Sequence, residues 1–117
     1  MLLMVLLVAL ASSAAHADGA EALRIGARAH VRPDSIWFEN DADLTRWQAL
    51  KRTGSAKAIA AFQDAKLGAR DAWQFSYPHE VKILRRGPGR HQVTVELTTE
   101  GRFQGTTWTL DADALMK

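Results

Sequence analysis

The chain has 117 residues, a formal net charge of +2 and no cysteine. A chain of this length supports one hydrophobic core rather than two. The slight basic excess lacks the stripe of cations that a nucleic-acid binder needs, and the absent cysteines exclude disulfides, thiolate metal sites and a lipid-linked cysteine.

Met1 to Leu10 is apolar without a break, and Ala15-His16-Ala17 has the small residues that flank a signal-peptidase site. Spanning a bilayer takes about 20 apolar residues, and this run weakens after Leu10 and meets Asp18. The expectation is a signal peptide over 1–17 that forms a helix and is then removed. That leaves a single domain over 18–117 in the periplasm or secreted, with no stable membrane anchor after cleavage. No cation precedes Arg24, which is unusual for such a signal. Small exported eukaryotic domains usually carry disulfides, so a bacterial source is expected.

From Ala27 the string ARAHVR alternates small or apolar residues with Arg28, His30 and Arg32, the period of a half-buried strand. Pro33-Asp34 turns the chain, and Ser35 to Phe38 predicts a second strand. Asn40-Asp41-Ala42-Asp43 then supplies side-chain acceptors for a helix start, with Leu44, Trp47 and Leu50 on one face. The spacing predicts a helix over 41–52. Ser55 caps a second, carrying Ile59, Phe62 and Leu67 and closed by Gly68, so a two-helix insertion occupies about 41–67. Trp73, Phe75 and Tyr77 alternate with Gln74 and Ser76 in the next strand. Val81 to Leu84 and His91 to Thr98 are predicted to pair across Gly87-Pro88-Gly89. Thr106 to Leu110 is the last long strand, and Asp111 to Leu115 a single turn.

Close strand spacing and tight turns predict a mainly β fold, a small barrel of about five strands. Gly105, Trp108, Leu110 and Leu115, following the strand HQVTVEL, resemble the closing segment of bacterial Src-homology-3-like domains over residues 80–117. That resemblance implies a binding or structural module near the cell wall with no chemistry of its own. Thr107 stands where the family usually has a glycine, and the helical stretch is longer than its first loop.

No catalytic, cofactor or metal site is legible. His30, His79 and His91 lack i,i+4 partners, and Ser35, Ser55 and Ser76 lack a nucleophile-elbow context. His79-Glu80 reads as solvated loop, and Asp111 and Asp113 as turn residues. The candidate binding residues are the aromatics Trp73, Phe75 and Tyr77, with Arg85, Arg86 and Arg90, because aromatic and arginine side chains dominate recognition surfaces. The competing role for the aromatics is the core face of a strand. The first functional expectation is a non-catalytic periplasmic module that contacts an envelope protein or peptidoglycan, with no nucleic-acid partner and no cofactor. The alternative is an inhibitor or immunity-type protein that blocks an exported toxin or hydrolase with a protruding insertion.

Overall fold

The structure is a computed structural model that describes residues 24–116. The signal-peptide expectation for 1–17 lies outside these residues, and no described helix is long and apolar enough to cross a membrane. The elements are β1 (Arg28–Val31), β2 (Ile36–Phe38), α1 (Asp41–Thr53), α2 (Ala56–Gly68), β3 (Ala72–Gln74), β4 (His79–Arg86), β5 (Gln92–Leu97), β6 (Thr107–Asp111), a 3-10 turn (Ala112–Ala114) and β7 (Leu115–Met116).

The strands form one antiparallel sheet of seven in the order β3-β2-β6-β5-β4-β1-β7. The fold is therefore mainly β, as expected, with a correction: the sheet is open, with edges at β3 and β7, and is not a closed five-strand barrel. The sheet is open because its two edge strands, both very short, do not pair with each other. β3 stops at Gln74, so the predicted alternation through Tyr77 ends early, and β7 adds two residues where only a turn is expected. Edge strands this short leave little unpaired backbone to recruit another chain.

The helices form where their caps predict. The Asn40 side chain accepts the Asp43 N–H at 2.9 Å, and Ser55 Oγ accepts that of Ala58 at 3.1 Å. Each contact satisfies an amide donor of a first turn that has no carbonyl partner within the helix. Asp41 and Asp43 at the start of α1, and Lys51 and Arg52 at its end, complement the helix dipole.

Both faces of the sheet are covered, each by different means. On one face Val31, Trp37, Val81, Ile83, Val93, Val95, Leu97, Trp108, Leu110 and Leu115 form the main core. The Trp37 ring meets Trp108 on the neighbouring β6 and Phe75 just past the neighbouring β3 edge-on, at centroid distances of 6.2 and 5.0 Å, and the sheet coils far enough for it to meet His79 of β4 at 6.2 Å. The other face carries Ile36, Phe38 and Ala72, against which the helices lay Leu44, Trp47, Phe62 and Leu67. The insertion thus docks on the sheet. Lys66 bridges to Asp43 at 3.0 Å and ties α2 to α1.

A register shift in β4 between Ile83 and Arg85 lets Ile83 enter the main core while Arg85, opposite Thr94, reaches Asp41 at 3.0 Å. A bulge re-aims a side chain in this way by adding one residue to one strand. Both partners of that ion pair are substantially exposed, so its stabilisation is below about 1 kcal/mol.

Leu44 is the apolar side chain of α1 that is fully buried against the sheet. Leu44→Ala leaves a cavity beneath the helix and is expected to cost about 2–5 kcal/mol. Urea unfolding followed by tryptophan fluorescence checks this; an unchanged midpoint would mean that the helices contribute little to the folded state.

Candidate functional site

The sequence-predicted aromatics and arginines lie in two separate places. Trp73 and Phe75 pack on Phe103, with ring centroids 5.0 and 5.5 Å apart, and both abut the main core. Their apolar surface is largely spent on packing. Tyr77 stays 67% exposed and leans on His79. Arg85 lies on the opposite face beside the start of α1, Arg86 is exposed at the end of β4, and Arg90 is exposed in the β4–β5 turn. No aromatic–arginine groove joins the six.

His79 departs from the solvated-loop expectation. It begins β4, and its ring sits 4.4 Å from Phe75 and within reach of Trp37 and Tyr77. Both ring nitrogens are sealed from solvent without a hydrogen-bond partner. Burial lowers its pKa, because the apolar wall disfavours the imidazolium. The adjacent Glu80 points outward, accepting from Thr98 and Arg28, and these contacts hold its carboxyl below the ordinary range.

The polar side chains converge instead where α1 crosses the β1–β2 turn and the Asp111–Ala114 segment. Two open recesses of about 300 and 450 Å3 adjoin there, both lined by Lys51, Asp111 and Asp113. The first continues past Trp47, Gln63 and Gln74 to Arg32 and Asp34; the second continues past Gln48 and Arg52 to Arg90 and His91. Four cations and three carboxylates therefore share one groove. Trp47 supplies its aromatic wall, held by an indole N–H donated to Gln63 at 2.8 Å and covered by the Lys51 ammonium 4.6 Å from the ring.

Gln48 of the groove lining is held from behind by Gln92, a buried amide at the start of β5. Its nitrogen donates to Thr45 Oγ1 and Gln48 Oε1, at 2.9 and 3.0 Å, and its oxygen accepts the Gly89 N–H at 2.9 Å. A Cβ at Gly89 would stand 2.8 Å from the Gln92 amide, so a side chain there would push that amide off its present partners. Gln48 in turn donates to Asp111 Oδ2 at 2.9 Å and to the His91 carbonyl at 3.2 Å.

His91 adopts a positive φ of 61°, a region that non-glycine residues enter rarely. Its Nε2 lies 2.7 Å from Asp113 Oδ1 and 3.8 Å from Asp111 Oδ1. The Asp113 carboxylate raises the His91 pKa, and the imidazole lowers that of Asp113, as a charge-assisted pair requires. Among the described residues these three are the metal-ligating types that cluster. The sequence places Trp47 on a helix face and Asp111 and Asp113 in a turn but does not signal that they meet at one groove, because 22 residues separate His91 from Asp113 and 63 separate Gln48 from Asp111.

No family model, curated protein or solved structure matches the chain.

The aromatic setting of His79 generates a pH prediction. Its pKa in the fold lies below the ordinary value of about 6.5, so the unfolded chain takes up the proton first as pH falls. The stability His79 contributes is complete above that value and is lost as pH falls through the folded-state pKa. Thermal melts from pH 8 to pH 5 should show a steeper acid loss for the wild type than for His79→Phe. Parallel curves would mean that the imidazole is protonated in place.

Proposed function

We propose that the chain is a non-catalytic, exported binding module of the bacterial periplasm that holds an extended wall polymer of the peptidoglycan type in the groove along α1. The observation that carries this reading is the composition of the groove: an aromatic wall at Trp47, amides at Gln48, Gln63 and Gln74, and interspersed cations and carboxylates. A wall polymer that presents hydroxyls, amides, amines and carboxylates matches such a lining group by group. The recess is open along its length, which suits a chain passing through better than a small molecule enclosed on all sides.

The absence of chemistry in this proposal rests on two points. His91 bonds Asp113 and not a hydroxyl that it could activate, and both side chains are more than half exposed, so no water-excluding pocket surrounds the pair. The Src-homology-3-like reading of residues 80–117 belongs to the same proposal; the open sheet sets aside the closed barrel without bearing on the likeness of that segment. The inhibitor reading calls for an insertion that protrudes with an apolar tip. Here the helices lie on the sheet, and the large exposed hydrophobics among the described residues are Ile25, Tyr77 and Met116, none of them helical.

Cosedimentation of the mature protein with purified peptidoglycan tests the proposal. Wild type should pellet with the polymer, and reversing two groove cations, in Lys51→Glu with Arg90→Glu, should weaken retention by at least about tenfold, since each reversal places a repulsive charge against the ligand. Lys57→Glu, on α2 and outside the groove, should leave it unchanged. Retention insensitive to the groove charges, or no retention by wild type, overturns the reading; specific capture of an envelope protein instead would move the groove's partner to that class.

A further inference from the structure

We infer that His91, Asp111 and Asp113 form a binding site for one divalent transition-metal ion, of which Zn2+ is the physiological representative. One imidazole nitrogen and two carboxylate oxygens, one from each residue, all lie within 4.8 Å of one another. A tetrahedral Zn2+ with bonds of about 2.0–2.2 Å sets its ligand atoms roughly 3.3 Å apart. The observed separations from His91 Nε2, 2.7 Å to Asp113 and 3.8 Å to Asp111, straddle that spacing. Seating the ion requires the exposed His91 and Asp113 side chains to part from their 2.7 Å contact and His91 to close on the fixed Asp111.

The support behind these atoms is directional. Asp111 is held by the Gln48 amide on Oδ2 and by the Asp113 N–H on Oδ1, and the His91 carbonyl accepts from the Ala112 N–H at 2.9 Å and from Gln48. The bonds to Asp111 orient a ligating carboxylate and tune its affinity, and those to the His91 carbonyl fix the backbone that carries the imidazole. Three protein ligands on an open surface leave the remaining position to water. The nitrogen donor and the small number of oxygens select a late first-row ion over Ca2+ or Mg2+, which take six or more oxygens. Lys51 and Arg90 line the same recess and oppose the incoming charge. They make the site weaker than its donor set alone would be, and they provide its most specific test.

The experiment is calorimetric titration of the full chain with Zn2+ at pH 7.5, with Mg2+ as the comparison ion and circular dichroism to check that each variant folds. Wild type should bind one equivalent of Zn2+ and no Mg2+ in the same range. His91→Asn, which accepts the left-handed backbone at this position, should weaken binding by about tenfold or more, and Asp113→Asn should also weaken it. Lys51→Ala should tighten it by several-fold, because a nearby repulsive charge is removed. No saturable Zn2+ binding up to millimolar concentration, equal binding by His91→Asn and wild type, or weaker binding by Lys51→Ala overturns the site.

Discussion

The fold turns on two consecutive side chains of β2. Successive residues of a strand point to opposite faces, so Trp37 enters the coiled inner face while Phe38 enters the layer under the helices, and both are essentially sealed from solvent. A single sheet in a chain of this size must cover both of its faces without a second sheet to help. Trp37 does so on one side by meeting Phe75, Trp108 and His79 edge-on; edge-to-face aromatic pairs add about 0.5–1.5 kcal/mol each beyond burial. Phe38 does so on the other by giving α1 and α2 an apolar landing site. Displacing β2 would open both layers together.

Docking the helices creates the groove as a by-product of the same arrangement. Gln92 is the joint: a buried amide with its carbonyl and nitrogen both satisfied, connecting the β4–β5 turn to Thr45 and Gln48 on α1. Leaving such a group unpaired would cost about 1–3 kcal/mol, so the helix has one favoured position over the end of the sheet. That position sets Lys51 and Arg52 against Asp111 and Asp113 and brings Gln48 under the 3-10 turn. The charges on the groove are mixed and exposed, which makes their effect on any ligand local and sensitive to ionic strength.

Much of the secondary structure was legible because its determinants are local. Asn40 and Ser55 announce the helix starts, the apolar positions of α1 repeat at helical spacing, and Gly87-Pro88-Gly89 marks the hairpin between β4 and β5. Where local pattern is not decisive, pairing across the chain is. The alternation from Trp73 to Tyr77 looks like one strand, yet only Ala72 to Gln74 find a partner in β2. Leu115-Met116 looks like the end of a turn, yet it pairs with His30 and Val31 at the sheet edge.

The sequence by itself determined the helices, the hairpin, the mainly β character and the absence of cysteine chemistry, because hydrogen bonds within a turn and the periodicity of apolar residues act over a few positions. Only the tertiary structure decided that the sheet stays open, that His79 is enclosed among aromatic rings, that Trp73 and Phe75 pack inward, and that His91 meets two aspartates beside α1. Each of these depends on which residues far apart in the chain come to lie side by side, and that follows from how one sheet buries both its faces, not from any residue's immediate neighbours.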